Sequence, residues 1–520
     1  MSLGTIASRI LGLARDIVLA SYFSRTVTDA FVVAFRLPNL FRRVLGEGSL
    51  SVSFMPIYID RKIAETEKGV SPETLSSEAR ALASGIFTLL VLLTGILSAI
   101  GIIWMPQLMS VLVGGDGYNA IAGKLDTTVW LARVMFSYVF FVTLFAFYMA
   151  IANAWKKFLI PALAPALFNA IFIVFAFIPD GFAQRPAGEF LAWGVLVGGL
   201  GQMLLVAHLL WKMGLLPRLR WKPWAVPSVK RVLINMVPGV AGLGVLQIIA
   251  IVNVNLASDL PEGAHSYIYW GDRILELPQA IIAVSLGAAM LPSLSQLNAE
   301  KKFKEMLQSA TDHLQFLLFL TVPCAVGLFL VAQSLSEALF MRGQFSKVDA
   351  TVTAKVIQIY TILLLASSFS RVLVPSFYAR KNTWLPAVVS GLTLLFHLGV
   401  ASWMTRSFGL MGLVGATTLS GIFNVLILML CYRSMIGPLG VAQIFLASFK
   451  WIPGLVVMGL WLWGAHLLLS GFWPEAGSLI KSLKLAILVG PGAALYMFIS
   501  AYFGVREARQ FIQLLKRRFT

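Results

Sequence analysis

"DAFVVAFRLPNLFRRVLGEGS", residues 29–49, lies among apolar runs in a chain of 520 residues of which only 12% are charged. The window is long enough to cross a bilayer, yet it holds Asp29, Arg36, Arg42, Arg43 and Glu47, with Pro38 between them. An arginine at the centre of a membrane helix costs about 2.5–3.5 kcal/mol on the insertion scale, so such a set needs compensation. What compensates it is the question the rest of the sequence has to answer.

The chain is 58% hydrophobic, with a mean hydropathy of +0.83. A soluble protein of this length could not bury so much apolar surface, so the solvent is lipid. The first apolar stretch carries Arg9, Arg15 and Asp16 and lacks a small-residue cleavage pattern, so it reads as a span rather than a secretory signal. The net charge of +18 does not point to nucleic acid. In a polytopic protein, lysine and arginine gather in cytoplasmic loops, and that alone makes the chain basic. Cys324 and Cys431 fall in apolar windows and read as small buried hydrophobes.

Apolar windows of about 20 residues, the length a bilayer demands, recur along the chain. They give an all-α fold with fourteen spans, near 5–23, 29–58, 80–105, 127–152, 159–179, 189–212, 232–256, 265–296, 314–340, 350–378, 385–404, 409–432, 447–470 and 482–503. An even number places both termini on one side. The connections after the even-numbered spans, with the C-terminal tail, carry roughly two dozen basic residues, against fewer than about ten on the other side. Both ends are therefore expected in the cytoplasm. The tail "VREARQFIQLLKRRFT" reads as a basic amphipathic helix on the anionic inner leaflet. Trp104, Trp221 and Trp224, near span ends, read as interfacial anchors, and Gly194 with Gly198 as a close helix contact.

The chain also repeats itself. "RLPN" (36–39) and "FMP" (54–56) in span two answer to "ELPQ" (276–279) and "MLP" (290–292) in span eight. "WKKFLIP" (155–161) after span four answers to "RKNTWLP" (380–386) after span ten. The copies lie six spans apart and so share an orientation, as parallel repeats do. Two pseudo-symmetric six-helix lobes follow, 1–228 and 229–435, with 436–520 adding two C-terminal helices and the tail. Prolines inside spans two, eight and ten suit interrupted helices beside a cavity.

Ionisable residues enter the spans in three places: Arg9, Arg15 and Asp16; the opening set; and Asp272, Arg273 and Glu276 of "GDRILELP". Pairing within a helix accounts for part of it. Arg43 and Glu47 are four apart and Arg273 and Glu276 three apart, so each pair can close. Arg15 and Asp16 point about 100° apart on a helix and are not expected to pair, which leaves Arg9, Arg15 and Arg42 without an acid in their own helices unless Arg9 reaches Asp16. Asp29 and Arg36 share a face about 10 Å apart along the axis. Such arginines are tolerable where they line a water-filled cavity and meet an anion. Guanidinium groups grip phosphate with two prongs and keep their charge. A central cavity with a basic floor, lined by spans from both lobes, is the expectation.

At these residues the chain resembles a known family. "SRILGLARD" (8–16), "TDAFVVAFRLPNLFRRVLGEGSLSVSFMPI" (28–57), "ANAWKKFLIPALAP" (152–165), "YWGDRILELPQ" (269–279), "RGQFSKVDA" (342–350) and "FYARKNTWLP" (377–386) are similar to the MurJ (MviN) family of bacterial lipid II flippases, within the MOP exporter superfamily. The likeness covers nearly the whole chain, in order. It implies fourteen helices, a groove for the lipid tail in the last two, and alternating access that moves an undecaprenyl-pyrophosphate-linked disaccharide-pentapeptide from the cytoplasmic to the periplasmic leaflet of the inner membrane. It also implies that Arg15, Arg42 and Arg273 clamp the pyrophosphate, with Arg9 and Arg43 in support. Asp29, Arg36, Glu47, Asp272 and Glu276 would line or gate the cavity. Lipid II and membrane lipids are the expected partners, with other cell-wall synthesis proteins beside them and no nucleic acid.

There are departures from the family pattern. The chain begins almost at span one, without the short cytoplasmic lead of some relatives. Members that bind sodium use acidic residues of spans seven and eleven; here those spans offer Asn253, Asn255 and His397. No cofactor is expected, a sodium site is doubtful, and membrane potential or a monovalent cation such as the proton is left as the energy source. A relative that flips another polyprenyl-pyrophosphate glycan is the alternative, and should lack this arginine set. A drug exporter of the superfamily would want an acidic cavity. An enzyme would need a catalytic constellation, and neither HExxH, a P-loop nor GxSxG occurs; the five histidines, His208, His265, His313, His397 and His466, are scattered.

Overall fold

The computed structural model describes residues 2–44, 50–66, 77–179, 187–470 and 477–519. Every regular element among them is helical. In chain order they are α1 (Ser2–Tyr22), α2 (Arg25–Phe41), α3 (Leu50–Thr66), α4 (Ser77–Ile103), α5 (Met105–Leu112), α6 (Asp116–Asn119), α7 (Lys124–Phe136), α8 (Tyr138–Ala154), α9 (Leu159–Ala176), α10 (Glu189–Lys212), α11 (Pro227–Ala257), α12 (Ala264–Ala299), α13 (Phe303–Leu339), α14 (Lys347–Ala379), α15 (Trp384–Met435), α16 (Val441–Ser448), α17 (Ile452–Ser470), α18 (Ser478–Tyr502) and α19 (Arg506–Phe519). Among the described residues nine helical segments are long and apolar enough to cross a membrane. The protein is a multi-pass membrane protein, and its helices are compatible with fourteen spans.

Some of the expected spans differ in form from single helices. Span two is described as α2 and α3, with residues 45–49 between them outside the described residues. Its first half, α2, loosens after Pro38 into a wider π-type turn at 42–44, and α3 begins at Leu50. A proline inside a helix removes one hydrogen bond and crowds the preceding turn, and interruptions of this kind favour such turns. Conversely, α15 runs 52 residues, about 78 Å at helical rise, far beyond one crossing. It is folded at Gly409, whose φ of 58° and ψ of −137° are not helical. Past the turn the backbone returns so closely that a Cβ on Gly412 would sit 1.9 Å from the Met404 carbonyl oxygen. The antiparallel pairing is zipped by Ser420 with His397 at 2.9 Å, by Asn424 donating to Thr393 at 3.0 Å, and by Phe396 stacked on Phe423 at 4.2 Å. These two arms are the expected spans 385–404 and 409–432.

The chain divides into two compact units, Met1–His265 and Ser266–Thr520. In the first, α1 packs on α9, α9 on α10, α10 on α8 and α2 on α7, while α11 lies against α3, α4 and α5. Gly194 and Gly198 bring α10 within contact of Phe175 and Phe168 of α9, the close approach expected of that motif. In the second unit α13 packs on α14, α14 on α15, and α17 with α18 onto α13. Phe319, Trp451 and Tyr496 form the aromatic centre of that last contact, and the Tyr496 hydroxyl donates to the Phe319 carbonyl at 2.9 Å. The tail helix α19 is tied to α13 as well, by Glu507 with Gln315 and by Arg506 with Asp312 at 3.9 Å.

The repeated linkers share one backbone shape. Lys156 and Lys381 both take left-handed φ, 56° and 59°. The following residue reaches back to the helix in each copy: Lys157 N–H to the Ala152 oxygen and Asn382 N–H to the Phe377 oxygen, both at 3.0 Å. A left-handed lysine is sterically unfavourable. The same turn recurs at Lys301, φ 58°, where the Lys302 N–H reaches the Leu297 oxygen at 2.9 Å, so it is a shared way of ending these helices.

Candidate functional site

Three clusters of charge lie inside the spans. On α1, Arg15 turns back onto its own neighbour: Nη2 and Nε donate to Asp16 Oδ1 at 2.7 and 3.0 Å. Its Nη1 donates to Asn169 Oδ1 on α9 at 3.2 Å, and the guanidinium lies 5.6 Å from the centre of the Phe172 ring. Asn169 in turn donates to the Ser8 carbonyl at 3.1 Å, so one amide binds α9 to α1 at two levels. Arg15 and Asp16 are both buried. The expectation that these neighbours would not pair is thus corrected. The Cβ atoms do diverge, but the arginine arm is long enough to bend sideways across the gap. Arg9, one helical face away, is exposed.

At the start of α2, Asp29 does not depend on its own helix. Lys124 Nζ, from the first turn of α7, donates to Asp29 Oδ2 at 2.8 Å, and the Gly263 N–H donates to the same oxygen at 2.8 Å. Lys124 Nζ also stands 4.3 Å above the Tyr118 ring, whose hydroxyl shares a 2.7 Å hydrogen bond with Thr128. His265 packs its edge on that ring and bonds to the Val254 carbonyl oxygen at 3.0 Å. Around this core the 258–263 turn is stitched to α6 and α2: Tyr118 N–H to the Ser258 oxygen at 2.7 Å, Gly115 N–H at the cap of α6 to Ser258 Oγ at 3.0 Å, and Thr26 of α2 to Glu262 by a hydroxyl–carboxylate bond. Lys124 was missed by sequence reasoning. It stands just ahead of an apolar span, where a lysine passes for an interfacial anchor.

Farther along α2, Arg36 is half-buried, and Arg42 donates from Nε to Asn39 Oδ1 at 2.9 Å. Arg42 thus has a partner in its own helix, but an amide rather than an acid. Arg43 is exposed. Glu47, and with it the expected Arg43–Glu47 pair, lies outside the described residues.

In the second unit, α12 carries the pair expected at i,i+3: Arg273 Nη1 donates to Glu276 Oε2 at 2.9 Å. Arg273 Nε donates to the Tyr269 hydroxyl at 3.3 Å, with the guanidinium carbon 5.4 Å from that ring's centre. Asp272, Arg273 and Glu276 are all half-buried. Elsewhere, Asn255 donates to the Val111 carbonyl of α5 at 3.0 Å and His397 closes the α15 hairpin, so both serve packing. Among the described residues no group of three His, Cys, Asp or Glu side chains gathers as a metal site would require.

A multi-pass helical protein that keeps arginines and carboxylates within its spans has the build of a membrane transporter. Comparison with known proteins narrows the class. The family described as "Lipid II flippase MurJ" matches residues 19–485. A protein of Bdellovibrio bacteriovorus named "Probable lipid II flippase MurJ" is 40% identical over 508 residues, 97% of this chain and 92% of the relative. "Lipid II flippase MurJ" of Burkholderia cenocepacia is 32% identical over 513 residues, 96% and 94% of the two chains. A solved structure, "Lipid II flippase MurJ, inward closed conformation", superposes with a TM-score of 0.76 at 24% identity, covering 98% of this chain and 99% of that one. An inward-facing MATE multidrug transporter of the MOP superfamily follows at 0.66 and 15%, covering 82% and 94%. At those identities the structures speak to the fold. The chain belongs to the lipid II flippase MurJ family, a family of transporters and not of enzymes.

Proposed function

We propose that this chain carries lipid II from the cytoplasmic to the periplasmic leaflet of the bacterial inner membrane by alternating access, with the substrate's pyrophosphate held by arginines of spans one, two and eight. The observation that carries the reading is Arg273: a guanidinium within a long membrane helix, braced by Tyr269 and Glu276 yet still 31% exposed. A fixed, permanently charged fork of this kind suits a diphosphate. Arg42 offers a second fork where span two is interrupted, Arg15 is oriented by Asp16 and Asn169, and Arg9 and Arg43 add exposed charge. Arg36, Glu47, Asp272 and Glu276 line or gate the path, and Asp29, buried against Lys124, fixes α2 beside it. On this reading the repeat lobes are 1–228 and 229–435, with 436–520 holding the lipid tail. Both termini are cytoplasmic, other cell-wall synthesis proteins are partners, and membrane potential or a monovalent cation supplies the energy.

The test is depletion of this protein in its host, followed by the leaflet distribution of lipid II. Lipid II should accumulate on the inner leaflet, and the wild-type chain should clear it. Arg42→Ala and Arg273→Ala should insert normally and fail to clear it. Full complementation by either variant, or accumulation of a different polyprenyl-pyrophosphate glycan, overturns the proposal. Orientation is tested by Ser24→Cys at the exposed cap of α2, which an impermeant thiol reagent should label in whole cells; labelling only after lysis reverses it.

A further inference from the structure

The two faces of α12 are put to different uses. Tyr267, Trp270, Gly271 and Ile274 are buried, at the i, i+3, i+4, i+7 spacing of a packed helical face. Tyr267 donates to Asp349 Oδ1 at 2.5 Å, and Asp349 also accepts from the Ser346 N–H and hydroxyl, both at 2.7 Å, as the cap of α14. Trp270 packs on Phe340 with ring centres 5.2 Å apart. A Cβ on Gly271 would meet Val356 of α14 at 2.5 Å, so the helices are in close contact there. This face prevents α12 from rolling. Tyr269, Arg273 and Glu276, at i, i+4 and i+7, form the opposite, half-buried stripe.

Within that stripe Tyr269 holds Arg273 twice. Its hydroxyl takes the Nε hydrogen, and the guanidinium carbon lies over its ring, 5.4 Å from the ring centre. Tyr269 is itself fixed edge-to-face against the buried Trp270, ring centres 4.8 Å apart. A guanidinium recognises a diphosphate through the direction of its planar fork, and an arginine side chain has many rotamers in which that direction is lost. We propose that Tyr269 is a positioning residue for diphosphate recognition, setting the direction of the Arg273 guanidinium. The inference rests on the pyrophosphate role given above to Arg273, and adds a residue that neither the charge pattern nor the family likeness singled out.

The experiment uses the full-length protein in detergent, with undecaprenyl diphosphate and undecaprenyl monophosphate competing for it. The wild-type chain should prefer the diphosphate, and Arg273→Gln should lose that preference. Tyr269→Phe, which keeps the ring and drops the hydroxyl, should reduce the preference about three- to tenfold, the range of an ordinary hydrogen bond, since the contact it removes is 3.3 Å long. Tyr269→Leu should bring it to the level of Arg273→Gln. Tyr267→Phe is the matched control: it loses a hydrogen bond to a carboxylate on the same helix, should lower the melting temperature, and should leave the preference unchanged. A wild-type preference in folded Tyr269→Phe and Tyr269→Leu, with loss in Arg273→Gln, overturns this inference alone. An undiminished preference in Arg273→Gln overturns the pyrophosphate reading and this one with it.

Discussion

Lys124 and Asp29 close at 2.8 Å and Arg273 and Glu276 at 2.9 Å, yet the first pair is 1% exposed on both sides and the second 31% and 45%. Distance therefore does not separate their roles; burial does. Two charges taken fully out of water lose several kcal/mol of solvation each, which mutual attraction offsets only when further polar partners surround them. Asp29 has such partners in the Gly263 N–H, and Lys124 in the Tyr118 ring. That is the build of a structural joint, fastening α2 to α7 and to the 258–263 turn. The α12 pair has kept much of its exposure and can exchange partners with an incoming anion. Arg15 and Asp16, at 8% and 4%, resemble the joint in burial, although the family likeness places Arg15 with the clamp.

Breaking the buried pair should give the largest effect. Lys124→Met or Asp29→Asn alone should destabilise the folded protein by about 3–5 kcal/mol, because either leaves a charge without its counter-ion. The double variant Asp29→Leu with Lys124→Met should recover part of that, with about 1–3 kcal/mol still lost for the orphaned Gly263 N–H. Denaturant unfolding in detergent measures all three. Single variants costing less than about 1 kcal/mol would place this pair with the exposed kind and break the comparison. Asp16→Asn should come next, at about 2 kcal/mol, since Arg15 keeps Asn169 and its two bonds to residue 16 lose only their charge assistance. If transport also fails in Asp16→Asn while the protein stays folded, Arg15 acts on the substrate through its orientation as well as holding α1 to α9.

How far these pairs could be read from the sequence follows from where the partners lie. Arg273 and Glu276 sit three apart on one helix, and spacing alone shows it. Lys124 and Asp29 are 95 residues apart in different helices, and no periodicity connects them. Asp29 was singled out as an anomaly, but its partner was not. Arg15 and Asp16 were misjudged in the other direction, because a helical wheel fixes Cβ directions and says nothing of how far a long arm can swing. The spans were legible because lipid imposes length and apolarity on each. The turn between spans eleven and twelve showed as the short gap between 404 and 409. The wider turn at 42–44 of span two was signalled only by Pro38, since it depends on backbone hydrogen bonds that composition does not encode.

The smallest effect should come from Glu276→Gln. An ion pair this exposed contributes at most about 1 kcal/mol, so stability should hardly move. Affinity should respond in the opposite sense from a structural lesion. With the carboxylate neutral, Arg273 keeps its Tyr269 contacts and loses the internal anion that competes with substrate, so undecaprenyl diphosphate should bind a few-fold more tightly. On the proposed pyrophosphate role of Arg273, transport should then slow, since no internal carboxylate would compete the diphosphate away when the substrate leaves. Equilibrium binding and flipping rate, measured on one preparation, separate the cases. Tighter binding with slower flipping sharpens the contrast with Asp29, whereas a loss of folded protein comparable to Asp29→Asn would mean that α12 depends on its exposed pair as a joint.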